Sequence, residues 1–131
     1  MLVNAAQRLN GQGGHPVIKL QTNFGGGKTH SMLALYHLVS GSPMAELAGV
    51  ETLLKERGFT GPPAETRKAV LVGSSLGPGQ AETTPDGLTL NTLWGHLAHQ
   101  LGGKAAYALI AESDRHGTSP GSNNLVKLFQ S

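Results

Sequence analysis

The chain has 131 residues, 38% of them hydrophobic and 14% charged, with 19 glycines and a net charge of +2 when its six histidines are neutral. That length suits one compact domain, and the composition is too apolar and too weakly charged for a disordered chain. The lack of cysteine excludes disulfides and thiolate zinc sites. The scattered Lys and Arg make no basic stripe that would indicate nucleic acid. No apolar run has the length of a signal or membrane-spanning segment, so a cytoplasmic protein is expected.

In chain order, Val3 to Leu9 can form a short helix that Gly11, Gly13 and Gly14 end. Val17-Ile18-Lys19-Leu20-Gln21 is rich in β-branched residues and reads as a buried strand. Thr22 to Gly27 is a turn, because three consecutive glycines would break any helix. From Lys28 the pattern is helical: Met32, Leu35, Tyr36 and Val39 share one apolar face, and Gly41 stops the helix. Ser42-Pro43 starts a second helix over Met44 to Arg57, with Glu51 and Lys55 at a supportive i,i+4 spacing.

Ala69-Val70-Leu71-Val72 reads as a second buried strand ending at Gly73, and Ser74 to Gly87 as irregular chain. A helix is expected from Asn91 to Leu101, closed by Gly102-Gly103, then one from Lys104 to Arg115 ended by Gly117, and a last one from Ser122 to Gln130. The alternation of strands and helices is an α/β order. Two strands make a poor sheet, so the chain reads as a piece of a larger protein.

The stretch Thr22-Asn23-Phe24-Gly25-Gly26-Gly27-Lys28-Thr29 meets seven of the eight positions of the Walker A pattern G-x-x-x-x-G-K-[ST], with Thr22 in place of the first glycine. The chemistry accounts for the spacing. Backbone N–H groups from Gly25 to Thr29 can converge on phosphate oxygens, glycines permit the backbone angles this requires, and the helix N-terminus adds partial positive charge. Lys28 would reach the β and γ phosphates, and the Thr29 hydroxyl would ligate Mg²⁺. Asn23, Phe24 and His30 complete the candidate nucleotide-binding set, with ATP and Mg²⁺ as the expected ligands.

The run Val17 to Ser31, continued by Ala34-Leu35-Tyr36-His37-Leu38, resembles the DUF499 family of predicted AAA+ ATPases. Ala69 to Gly73, Thr92 to Ala98, Leu101-Gly102-Gly103, and Pro120-Gly121 with Leu125 to Phe129 fit the same family. The resemblance implies residues 1–131 as one partial P-loop ATPase domain. Its strand-loop-helix would lie at 17–40, a second strand at 69–73 and a helical remainder at 89–130. The implied fold is a parallel sheet flanked by helices. The resemblance also implies a Walker B strand with an Asp-Glu pair in the parent protein, which this chain does not include. It therefore carries ATP binding, but not hydrolysis, onto these residues. It further implies large bacterial and archaeal proteins linked with DNA methylases and phage-defence systems. The rest of the parent ATPase, or a second copy, is the expected partner.

Other constellations are weaker. Gly73-Ser74-Ser75-Leu76-Gly77 matches G-x-S-x-G, with Ser75 as the would-be nucleophile of a serine hydrolase, but Pro78-Gly79 prevents the helix such an elbow enters. A third reading is a non-catalytic fragment that self-associates through open strand edges. Tyr107 to Glu112 resembles a degenerate Walker B strand, though its alanines favour a helix. His96 and His99 at i,i+3 could hold a metal but show no third ligand nearby. Trp94 reads as a core residue rather than a base-stacking platform.

Overall fold

The computed structural model describes residues 1–131 apart from 22, 24, 74, 75, 77–79 and 131. The chain divides into two compact units, Met1–Arg67 and Lys68–Ser131.

The first unit holds α1 (Leu2–Leu9), α2 (Lys28–Val39), a single 3-10 turn (Met44–Glu46) and α3 (Val50–Lys55). Its core gathers Ala6, Leu38, Val50, Leu54 and Phe59, with Leu2, Val3, Leu35, Met44 and Leu47 packed against them. The single helix expected over Met44 to Arg57 is two pieces, since Gly49 adopts φ 76° immediately before α3. At the other end of α3 the Gly58 N–H donates to Lys55 O and the Phe59 N–H to Leu54 O. This Schellman arrangement brings Phe59 and Leu54 together in the core. The Glu51–Lys55 pair forms at 2.5 Å on the exposed surface, where such a pair contributes at most about 0.5 kcal/mol.

The inward face of α2 lies one residue away from the expected stripe. Leu38 is buried and Ser31, Ala34 and Leu35 are half-buried, whereas Met32, Leu33 and Tyr36 are exposed at 61%, 51% and 40%. The helix is apolar nearly all round, so periodicity alone did not single out the face that packs.

The second unit contains a hairpin of β1 (Glu82–Thr83) and β2 (Thr89–Leu90), then α4 (Leu93–Ala108), α5 (Ala111–Arg115) and α6 (Gly121–Gln130). Leu90, Ala98, Ala106, Tyr107, Ile110 and Leu128 form its core, and Trp94 packs against them. The helical remainder expected from 89 starts instead at Leu93, after Thr89 and Leu90 form a strand, and its divisions are displaced. Gly102 and Gly103 leave helical geometry as anticipated, but the helical run resumes to Ala108, and the expected Lys104–Arg115 helix breaks at Ile110 (φ −126°).

The parallel sheet is not there. Among the described residues the only sheet is the antiparallel hairpin, with Glu82 opposite Leu90 and Thr83 opposite Thr89. A β-branched run becomes a strand only when a neighbouring backbone supplies ladder hydrogen bonds. Residues 17–21 run without strand pairing, and Val17 is 79% exposed. In residues 69–72 a side chain stands where a strand would. The Val70 N–H donates to Gln100 Oε1 at 2.7 Å, and its carbonyl accepts from Gln100 Nε2 at 2.9 Å. The α/β, AAA+-like P-loop expectation is thus corrected to a mostly helical chain with one short hairpin.

That hairpin lies in a stretch expected to be irregular. Pro85-Asp86-Gly87 makes its turn, with the Thr84 N–H donating to Leu88 O at 2.8 Å and the Gly87 N–H to Thr84 O at 2.9 Å. The Thr84 hydroxyl accepts from the Leu88 N–H at 3.0 Å and donates to the Asp86 carboxylate.

A glycine inside α4 has a steric reason. A Cβ on Gly95 would lie 2.4 Å from Asp114 Oδ1, a carboxylate oxygen buried against the first turn of the helix. Gly-to-Ala ordinarily stabilises a helix by about 1 kcal/mol. Gly95→Ala should instead destabilise the second unit by about 1–3 kcal/mol, the usual cost of overpacking. The chain's single tryptophan, Trp94, reports this as a lowered urea midpoint; a raised midpoint would contradict the packing.

Candidate functional site

The Walker A-like loop is a glycine turn leading directly into α2. Gly25 (φ 81°) and Gly27 (φ 69°) both occupy the left-handed region, which residues with a Cβ avoid. Among the described residues nothing lies within 4 Å of where a Cβ would project at either position. The glycines are therefore required by backbone angle and not by space. Gly27 is the N-cap of α2, no side chain caps the helix there, and its first turn carries no acid. A helix start of this kind presents outward-facing N–H groups and partial positive charge.

The side chains follow from helix geometry. Lys28, Thr29 and His30 form the first turn of α2, Thr29 and His30 exposed and Lys28 half-buried. Lys28 Nζ donates to the Asn23 carbonyl at 3.2 Å, and the Gly26 N–H donates to the same oxygen at 3.3 Å. The structure thus brings Asn23, Gly25, Gly26, Gly27, Lys28, Thr29 and His30 to one exposed loop–helix junction. Thr22 and Phe24 lie outside the described residues. α2 has 12 residues, so it spans about 18 Å. A shallow cleft of about 210 Å³, lined by Leu38, Val39, Gly41 and Thr60 to Ala64 among others, lies beside its far end.

Ser75, the would-be hydrolase nucleophile, also lies outside the described residues. Glu112 sits in α5, consistent with the helical reading of that segment. His96 and His99 face acids from the hairpin that were not singled out in the sequence. His99 Nε2 is 3.2 Å from Asp86 Oδ2, and His96 Nδ1 is 3.9 Å from Glu82 Oε2. These are two separate pairs, and among the described residues no cluster of three or more His, Asp or Glu is placed to hold a metal. The Thr84 hydroxyl, opposed by partial burial and aided by His99, holds the Asp86 carboxyl below its ordinary range.

A functional-looking group that sequence reasoning missed is Asp114, which is 0% exposed. Its Oδ2 accepts from the Asn91 N–H at 3.0 Å, Asn91 Nδ2 at 3.2 Å and the Tyr107 hydroxyl at 2.9 Å. Oδ1 accepts from the Thr92 N–H at 2.9 Å and the Thr92 hydroxyl at 2.5 Å. Thr92 Oγ1 in turn accepts from the Gly95 N–H at 3.2 Å, capping α4. Burial pushes the Asp114 carboxyl up, but the donors of Thr92, Asn91 and Tyr107 outweigh it and leave it below its ordinary range. Burial, reinforced by the adjacent Asp114, pushes the Tyr107 phenol up. A carboxylate with this many satisfied contacts is a structural anchor, not an acid awaiting a substrate.

A family model described as the DUF499 N-terminal domain matches residues 1–131. The chain belongs to the DUF499 family. Comparison with curated proteins and with solved structures gives no match. Among the described residues of this DUF499 chain, no helix is long and apolar enough to cross a membrane.

The depressed Asp114 carboxyl sets a pH dependence. A folded-state value below the unfolded one contributes stability that is fully present above about pH 4 and is lost as pH falls through the lower, folded value. Asp114→Asn turns an amide donor toward donors, and should cost about 2–4 kcal/mol at pH 7. The gap between the variant and the wild type, read from Trp94 fluorescence in urea, should narrow below pH 4. A gap independent of pH would show that the carboxylate charge is not what the network binds.

Proposed function

We propose that this DUF499 chain binds the triphosphate of ATP, with Mg²⁺, at the junction of the glycine loop and α2. The observation that carries this reading is the coincidence of two left-handed glycines, Gly25 and Gly27, with Lys28 and Thr29 at the start of a helix that no side chain among the described residues caps. Left-handed and right-handed backbone in succession makes a concave N–H nest for anions. Lys28 supplies the point charge and Thr29 a hydroxyl ligand for a phosphate-bound Mg²⁺. Asn23, Phe24 and His30 complete the proposed nucleotide-binding set, Phe24 lying outside the described residues.

The role is binding. The 131 residues contain no Asp-Glu pair after an apolar run, so hydrolysis is assigned to a larger parent ATPase. In this reading the parent works in the cytoplasm, where it draws on the nucleotide pool, and acts in a DNA-modification or phage-defence system.

A fluorescent ATP analogue titrated with Mg²⁺ should bind the wild type. Lys28→Ala should weaken that binding at least about tenfold, the loss of a charge-assisted contact of roughly 1.5–3 kcal/mol. Thr29→Ala should lose most of the difference between Mg²⁺ and EDTA. Equal binding by wild type and Lys28→Ala would remove the site assignment.

A further inference from the structure

Residues 69–72 have the exposure pattern of a strand, although among the described residues they have no strand partner. Ala69 and Leu71 are half-buried while Val70 and Val72 are 47% and 51% exposed, the two-residue alternation of an extended chain with one covered side. The Gln100 side chain of α4 stands against Val70. Its Oε1 accepts from the Val70 N–H at 2.7 Å, and its Nε2 donates to the Val70 carbonyl at 2.9 Å. One residue thus exchanges both of its backbone bonds with one amide, as it would with the facing residue of an antiparallel strand. We propose that Gln100 is an edge cap, whose carboxamide occupies the pairing position on Val70 and keeps a second copy of this chain from adding its own residues 69–72 there.

An exposed β-branched run with open backbone groups is a template for another extended chain. The segment is suited to its own copy. Antiparallel pairing about a twofold axis at Val70 sets Val70 opposite Val70 of the second copy, and each offers the N–H and carbonyl that the other requires. In that register Lys68 meets Val72, so no like charges oppose the pairing. Gln100 fits the role of excluding it. A carboxamide carries a donor and an acceptor side by side, as a peptide does, whereas a carboxylate of the same length lacks the donor. The helix that presents it is fixed by Ala98, which is fully buried in the core of the second unit.

Sedimentation velocity of the 131-residue chain across a concentration series tests it. Gln100→Ala should self-associate at concentrations at least about tenfold lower than the wild type does, the scale of two hydrogen bonds changing partners. Adding Val70→Lys should return Gln100→Ala to wild-type behaviour, because the new charge meets itself across the twofold axis. Adding Val126→Lys instead, on the exposed side of α6, should not. Gln100→Ala that associates no more than the wild type overturns the cap, as does rescue by Val126→Lys in place of Val70→Lys. Should Gln100→Ala unfold, which Trp94 fluorescence reports, hydrogen–deuterium exchange of the wild type decides. A Val70 amide at least about threefold slower than those of Ala69 and Val72, each relative to its intrinsic rate, supports the cap, and equal exchange overturns it.

Discussion

The Asp114 carboxylate, fully buried, accepts hydrogen bonds from Asn91, Thr92 and Tyr107, and the second unit is arranged around where that group must sit. Burying a carboxylate without partners is costly, and here the donors of Asn91, Thr92 and Tyr107 offset that cost. Asn91 and Thr92 link the end of β2 to the start of α4, and Tyr107 comes from the end of α4. One ion thus sets where the hairpin ends, where α4 begins and how α5 lies against it. Gly95 is the steric counterpart of this arrangement, since any larger residue there would enter the space the carboxylate fills.

The first unit has no equivalent buried ion among its described residues. Its order comes from an aliphatic cluster and from glycines that turn the chain at helix ends. α2 is the element that connects this packing to chemistry. Its inward side, led by Leu38, is fixed by the core, and its first turn projects Thr29 and His30 into solvent. The exposed Met32, Leu33 and Tyr36 leave the outward side apolar, which is unusual for a helix with one solvent-facing surface. Packed through Leu35 and Leu38, α2 carries its exposed first turn away from that core.

Much of the helical layout was legible because its determinants are local. Gly41, Gly102-Gly103 and Gly117 mark boundaries that the structure respects, and the Glu51–Lys55 pair forms at its helical spacing. What was not legible depends on partners distant in sequence. The β-branched run at residues 17–21 has the composition of a strand but lacks a ladder. Val70 finds its hydrogen bonds on Gln100, thirty residues on, a pairing that no periodicity announces. The hairpin was missed for the opposite reason: its strands are two residues each, too short for alternation to show, although Pro85-Asp86-Gly87 was a sound turn signal. Nothing in the residues around Asp114 marks it as a buried acid. Only its burial against Asn91 and Thr92, more than twenty residues earlier, separates it from Glu112.

The same distinction separates the proposed site from the sheet that was expected around it. A parallel sheet requires several strands to meet across long stretches of chain, and its absence is a statement about non-local pairing. An N–H nest requires only a few residues with suitable backbone signs and a helix start, all of them local in sequence. Gly25 and Gly27 adopt the left-handed angles without a strand ladder before them, and Lys28 meets the loop's own carbonyl. Here the positioning element is α2, held by Leu35 and Leu38 on the core of the first unit. The left-handed glycines and the helix start are therefore local features, separable from the architecture of the rest of the unit.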